Sequence, residues 1–141
     1  MRCDGERPWP GPYSTGRRSL RASQTGIAGI INRAMNASLW LGHIAVIFTS
    51  RRTAEDDAGY AQAAEAMAAL AATQPGCAGF VSTRGTDGLG ITISYWQDDA
   101  SAIAWRDHPE HQAIRERGRA LWYSEYEIVV ARVERGYAWR R

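Results

Sequence analysis

Four short runs of β-branched and apolar residues predict β-strands after residue 42. They are HIAVIFTS (43–50), GFVSTR (79–84), LGITISYW (89–96) and SEYEIVVARVE (124–134). Runs of this length and composition are typical of buried or half-buried strands. The segment GTDG separates the second run from the third, and an Asp-Gly step between apolar runs indicates a β-hairpin.

Helical spacing occupies the two longer gaps between these strands. In the first gap, apolar positions recur on one helical face, at Tyr60, Ala64, Met67 and Ala71. Asp56 or Asp57 is expected to cap this helix, and Pro75 followed by Gly76 ends it. The second gap is expected to be helical in two pieces, with a break near 107–109 where Pro109 stands.

The resulting order, β-α-β-β-α-β, predicts an α+β fold with the ferredoxin-like split βαβ arrangement. Its four strands form one antiparallel sheet with both helices on one face. This domain is expected to span residues 43–137, and residues 138–141 form a short C-terminal tail.

Both faces of the predicted sheet are largely apolar. In the strand at 43–50, both alternating sets of side chains are apolar, and the same holds at 124–134. Two helices cover only one face, and a solvated face of an antiparallel sheet alternates with polar residues. The pattern therefore predicts a homodimer in which the uncovered face meets a second copy. Coverage of that face by the N-terminal tail is the alternative.

Residues 1–42 contain several Pro and Gly residues and lack apolar periodicity, which predicts a disordered or weakly structured N-terminal extension. Residues 1–34 are either a genuine extension or a stretch that precedes the true start at Met35. A targeting or partner-binding segment is a third interpretation.

Composition excludes several classes of function. The 141 residues suit one domain with a tail. The first 42 residues carry six arginines against two acids, whereas residues 43–141 carry eleven against thirteen, so the domain lacks the basic surface of a nucleic-acid-binding protein. No apolar run approaches the ~20 residues of a membrane span. Cys3 and Cys77 have no zinc-site spacing, and free cysteines favour the cytoplasm.

The stretch AWRDHPEHQAIRERGRALWY (104–123) holds the candidate chemistry. His111 shares a predicted helix face with Ile114, Gly118 and Leu121, and Gly118 is expected to leave space there. A metal site needs three or four ligands, and His108 and His111 supply only two, so no metal is expected. Two interpretations remain: a structural histidine at the edge of the core, or an inward base that exchanges a proton near neutral pH.

The segments ISYWQDDASAIAWRDHPEH and YEIVVARVE, in this order of elements, resemble the antibiotic biosynthesis monooxygenase family over residues 43–137. The resemblance implies a dimeric α+β barrel with a pocket between sheet and helices in each subunit. Some members oxygenate polycyclic quinols or anthrones with O2 and no cofactor. Others degrade heme with a His ligand, a Trp and a strand-one Asn, for which this chain has Thr49 or Ser50.

The resemblance therefore implies a cofactor-independent monooxygenase for a flat phenol or quinol, and the sequence contains no flavin or nicotinamide fingerprint. His111 is the expected proton acceptor and Trp105 an aromatic wall. The remaining expected walls of the substrate pocket are Phe48, Tyr60, Met67, Ile93 and Leu121. A non-catalytic ligand-binding or stress-related barrel module is the alternative, and a heme-degrading monooxygenase is the third possibility.

Overall fold

One four-stranded antiparallel sheet organises the computed structural model, which describes residues 37–139 and residue 141. The strands lie in the order β2-β3-β1-β4, and each neighbouring pair is antiparallel. Their bounds are Ile44–Arg52 for β1, Cys77–Arg84 for β2, Leu89–Trp96 for β3 and Tyr123–Arg132 for β4. This topology confirms the predicted α+β ferredoxin-like fold.

Three α-helices connect the strands: α1 (Asp57–Thr73), α2 (Asp99–Arg106) and α3 (Pro109–Arg117). A π-helical turn, Gly118–Trp122, joins α3 directly to β4. The predicted break near Pro109 is confirmed, because Pro109 opens α3 where its missing N–H costs nothing.

Carboxylate caps fix the starts of two helices. The Asp56 side chain accepts a hydrogen bond from the Gly59 N–H at 3.0 Å, so the predicted cap of α1 is confirmed at Asp56. Asp98 caps α2 in the same way, accepting from the Ser101 N–H at 2.8 Å. Each such cap stabilises its helix by about 1 kcal/mol.

The strand register divides the sheet into two faces. Ile44 pairs with Trp96, and the Trp96 ring stacks on Trp105 of α2. Residues that alternate with Ile44 along β1 in steps of two therefore lie on the face that the helices cover, which we call the helix face. In β1 the helix face carries Ile44, Val46, Phe48 and Ser50. The open face carries Ala45, Ile47, Thr49 and Arg51. Large apolar side chains stay between 39% and 50% exposed on the open face, namely Val81, Leu89, Ile91 and Val129.

Two tryptophans anchor the core between sheet and helices. Trp96 at the end of β3 is 0% exposed, and Trp122 at the end of the π-helical turn is 1% exposed. Ala63 and Ala71 are the buried residues of α1. Among the described residues, no helix is long and apolar enough to cross a membrane.

Some of the described residues precede the expected domain boundary at residue 43. Ala37–Trp40 form a 3-10 turn, and the Trp40 ring stacks on Tyr95 of the open face at 4.1 Å and 15°. The Gly42 N–H donates to the Val133 carbonyl at 2.9 Å, which ties this segment to the residues after β4. Residues 1–36 lie outside the described residues, so their expected lack of structure stays a prediction.

Candidate functional site

Three aromatic rings stack where α2 gives way to α3. Trp105, in the last turn of α2, stacks on Trp96 of the sheet with ring centroids 5.9 Å apart. His111, in the first turn of α3, stacks on Trp105 at 4.3 Å and 10°. The structure therefore brings the two predicted catalytic residues into direct contact, and His111 covers one face of the Trp105 ring.

The ring of His111 is held in one tautomer. Its Nδ1 lies 2.9 Å from the carbonyl oxygen of Trp105, and because a carbonyl only accepts, Nδ1 carries the hydrogen. The lone pair of Nε2 is then free to accept a proton. Burial is the main cause that lowers the pKa of His111, although the hydrogen bond to Trp105 opposes it. The half-buried ring is therefore neutral near neutral pH.

His108 occupies the N-cap position of α3 without a capping hydrogen bond from its side chain. Its ring centroid lies 5.9 Å from that of Trp105, tilted by 42°. The buried Nδ1 of His108 has no hydrogen-bond partner within the described part of the chain. Among the described residues, no three His, Cys, Asp or Glu side chains are close enough to hold a metal ion.

Tyr60 and Phe48 lie at the far end of β1 from this stack. The Tyr60 hydroxyl accepts from Arg84, which also donates to Ser50, six residues along β1 from Ile44. Since Ile44 pairs with Trp96 and strand residues advance by about 3.3 Å each, the two places are roughly 20 Å apart on the helix face.

The other three predicted wall residues lie on three different elements. Ile93 pairs with Ile47, so it lies on the open face, whereas Phe48 lies on the helix face; these two expected walls therefore stand on opposite sides of the sheet. Met67 is half-buried on α1. Leu121 is half-buried in the π-helical turn, where its carbonyl accepts from the Thr53 hydroxyl at 2.8 Å.

An aromatic row runs along the far end of the helix face; we use this name for Tyr60, Tyr123, Phe48 and Tyr126. Tyr123 is its centre, with ring centroids 6.1 Å from Tyr60, 5.4 Å from Phe48 and 6.2 Å from Tyr126. Burial, followed by the neighbouring Tyr60, raises the pKa of Tyr123 above its usual range. The Tyr123 hydroxyl therefore keeps its proton at physiological pH.

Arg84 is held at one end of the aromatic row by neutral acceptors. It donates to the Gly88 carbonyl at 2.6 Å, to the Ser50 hydroxyl at 3.0 Å and to the Tyr60 hydroxyl at 3.1 Å. Gly90, its register partner, makes this possible because any Cβ there would overlap the guanidinium. Arg84 is not among the residues predicted from the sequence, although a glycine inside a strand, here Gly90, signals such a close approach.

Gly118 does not leave open space beside His111, which corrects the expectation drawn from the sequence. A Cβ on Gly118 would lie 2.8 Å from Cε2 of Tyr123, so the ring of Tyr123 fills the space that the missing side chain provides. The glycine is buried at the point where α3 becomes the π-helical turn.

The family model described as "Antibiotic biosynthesis monooxygenase" matches residues 43–117. The "Uncharacterized protein YqjZ" of Bacillus subtilis (strain 168) is 50% identical over 93 residues, which cover 66% of this chain and 81% of that protein.

Solved structures repeat the fold at low identity. SnoaB, "a cofactor-independent oxygenase from Streptomyces nogalater", superposes with a TM-score of 0.54 at 22% identity, covering 64% of this chain and 94% of that one. A "putative antibiotic biosynthesis monooxygenase" from Nitrosomonas europaea gives 0.58 at 12% identity, with 64% and 88% covered. The predicted family is confirmed by the match over 43–117 and by the Bacillus relative, and the chain belongs to the antibiotic biosynthesis monooxygenase family.

Proposed function

We propose that this protein is a cofactor-independent monooxygenase that oxidises a flat phenol or quinol with O2, using His111 as the proton acceptor. The observation that carries this proposal is the hydrogen bond between Nδ1 of His111 and the Trp105 carbonyl at 2.9 Å. It fixes the tautomer in which Nε2 is basic, and burial keeps the ring neutral. SnoaB, which shares the fold, is described as a cofactor-independent oxygenase and supports the same reaction class.

In the proposed reaction, Nε2 of His111 accepts the proton of a phenol hydroxyl, which leaves an electron-rich aromatic anion. This anion donates an electron to O2, and the two radicals combine to form a carbon–oxygen bond. For an anthrone, the CH2 group becomes a carbonyl, one oxygen atom stays in the product, and the other leaves as water. The proton held by His111 returns in that last step, so the enzyme ends unchanged.

In this proposal Trp105 positions His111. The two rings are nearly parallel, 10° apart, and the Trp105 carbonyl fixes the other edge of the imidazole. Both His111 and Trp96 stack on Trp105, so its contribution to substrate binding comes from the part of the ring that these two leave uncovered.

The open face supports a homodimer as part of the same proposal. Val81, Leu89, Ile91 and Val129 stay exposed there, and contiguous apolar surface of this kind favours a second subunit. Trp40 and Tyr95 cover part of this face, so the 3-10 turn would lie beside the subunit contact.

Oxygen uptake tests the proposal directly. The full-length protein is mixed with an anthrone or a naphthohydroquinone without added cofactor, and consumption of O2 above background is expected. His111→Ala is expected to lower turnover by roughly 100- to 10,000-fold. His108→Ala is the matched control, because this histidine comes from the same helix break, and its turnover is expected to stay close to that of the unmodified protein.

Trp105→Phe separates positioning from substrate binding. It keeps a ring beneath His111, so a moderate fall in kcat with little change in KM is expected. If the unmodified protein consumes no oxygen across the panel, the oxygenase proposal is wrong. If it does consume oxygen and His111→Ala matches it, the assignment of the base is wrong.

A non-catalytic ligand-binding module is the second candidate. The observation that favours it is the stack itself, because Trp96, Trp105 and His111 pack as the edge of a core and stabilise the helix break without any chemistry. Under this alternative, phenols bind without oxygen uptake, and His111→Ala lowers stability rather than turnover.

A further inference from the structure

Two carbonyl groups at the C-terminal end of α2 are bound by side chains of α3. The Trp105 carbonyl lies 2.9 Å from Nδ1 of His111, which donates to it. The next carbonyl, that of Arg106, accepts from Nη1 of Arg115 at 3.1 Å. His111 and Arg115 are four residues apart on α3, so their side chains are neighbours on one side of this helix.

The end of α2 acts on the protonation of His111. A helix C-terminus carries partial negative charge, which favours a protonated imidazole beside it. Arg115 places a permanent positive charge at the same helix end, because a guanidinium keeps its proton in proteins. Like charges four residues apart on a helix repel each other, so Arg115 favours the neutral form of His111.

Arg115 has no carboxylate within ion-pair distance among the described residues. It is half-buried, and its Nε is buried without a hydrogen-bond partner in the described part of the chain. Asp107 is bound by Arg106 through two hydrogen bonds at 2.7 and 2.9 Å. The hydrogen bond from Arg106 is the main cause that lowers the pKa of Asp107, and the charge of Arg115 adds to it.

The other charged groups around His111 leave the effect of Arg115 in place. Glu110 and Glu116 are exposed neighbours in the chain of His111 and Arg115, and consecutive side chains on a helix do not face each other. From the sheet, the uncharged Trp96 ring reaches this stack through Trp105. Burial lowers the pKa of His111 most, the hydrogen bond to Trp105 opposes it, and repulsion by Arg115 and then by His108 lowers it further.

We infer that Arg115 is a positioning residue for the proposed base: it joins α3 to the end of α2 and keeps the imidazole of His111 unprotonated. The inference rests on the proposed function, because the neutral imidazole is the form that accepts a phenol proton. The contact itself is tested without substrate or O2.

NMR titration of the histidine ring signals in the full-length chain tests the inference. The signal of His111 is assigned by its loss in His111→Ala. Arg115→Gln removes the charge and keeps an amide that can donate to the Arg106 carbonyl. It is expected to raise the titration midpoint of His111 by about 0.5 pH unit. Arg115→Lys keeps the charge, so its midpoint is expected to stay close to that of the unmodified protein.

Arg117→Gln is the matched control. Arg117 is an exposed arginine of the same helix, and its partner is Asp56 at 3.2 Å. Removing it is expected to leave the midpoint of His111 unchanged. Arg115→Met gives the same test as Arg115→Gln should the glutamine variant fail to fold.

The pH profile of oxygen uptake gives a second readout. The acid limb of kcat/KM is expected to move to higher pH in Arg115→Gln, because His111 then loses its proton at higher pH. The plateau at high pH is expected to remain. A purely structural role of Arg115 would lower turnover at every pH instead.

An unchanged His111 midpoint in Arg115→Gln overturns the inference, and so does an equal rise in Arg115→Lys. A raised midpoint in Arg115→Gln without oxygen uptake in the unmodified protein upholds the action of Arg115 on His111 and contradicts only the proposed oxygenase function. Oxygen uptake that depends on His111, with a midpoint that ignores Arg115, upholds that function and contradicts only this inference.

Discussion

Replacing Gly118 by alanine tests the packing beneath the aromatic row with a single methyl group. Gly118 has ordinary right-handed helical angles, φ −59° and ψ −44°, so alanine adopts its backbone without strain. The added Cβ would lie 2.8 Å from Cε2 and 3.1 Å from Cδ2 of Tyr123. Tyr123 cannot move away freely, because Tyr60 and Phe48 contact its ring.

Two opposing effects set the size of the change in stability. Alanine is favoured over glycine inside a helix by about 1 kcal/mol. Inserting a methyl group into a packed core costs about 1–3 kcal/mol. Because the contact is with a ring held on two sides, the overlap outweighs the helix preference, and Gly118→Ala is expected to lower the free energy of unfolding by up to about 2 kcal/mol. For a domain of this size, each kcal/mol lowers Tm by about 4–8 °C.

Urea unfolding followed by tryptophan fluorescence measures this change, and a double-mutant cycle identifies its cause. In a Tyr123→Ala background the overlap is absent, so adding Gly118→Ala is expected to be neutral or to stabilise by up to ~1 kcal/mol. If Gly118→Ala stabilises the unmodified protein, the space beside Gly118 is free, and the packing described for Tyr123 is wrong.

Four further predictions concern the whole molecule. Burial lowers the pKa of His111, so the unfolded chain binds a proton more readily; stability is expected to fall as pH drops below about 6.5, and His111→Gln should flatten that slope in urea midpoints. Hemin titration is expected to give no stoichiometric Soret shift, because Thr49 and Ser50 stand in place of the strand-one Asn; a one-to-one complex lost in His111→Ala would contradict this. Deleting residues 1–34 should leave Tm nearly unchanged, whereas a large fall would show that this segment stabilises the domain. Light scattering should give twice the monomer mass, and a monomer at micromolar concentration would refute the dimer.

The fold was predictable because its signals are local. The Asp-Gly turn lies between two β-branched runs, the cap at Asp56 precedes a regular apolar spacing, and Pro109 marks the break between helices. Each of these features depends only on residues that are close together in the chain, so it can be recognised from one sequence.

The site was only partly predictable because side-chain neighbours depend on register and on distant residues. Trp105 and His111 are six residues apart across a helix break, and their contact follows from that short spacing. Ile93 was misplaced because the face of a strand residue depends on its pairing, and a shift of one residue reverses it. Arg84 finds its acceptor in Ser50, 34 residues away, which no local pattern encodes.

Hydrogen bonds between the segment before β1 and the segment after β4 bring the two ends of the domain next to each other. The Val133 N–H donates to the His43 carbonyl at 2.9 Å, the Gly42 N–H donates back to Val133, and a Cβ on Gly136 would lie 2.9 Å from that of Ala37. A short linker could therefore join these two segments, and new termini could be opened in an exposed loop. A circularly permuted gene should encode the same sheet, and proteins fused at the two positions would sit side by side.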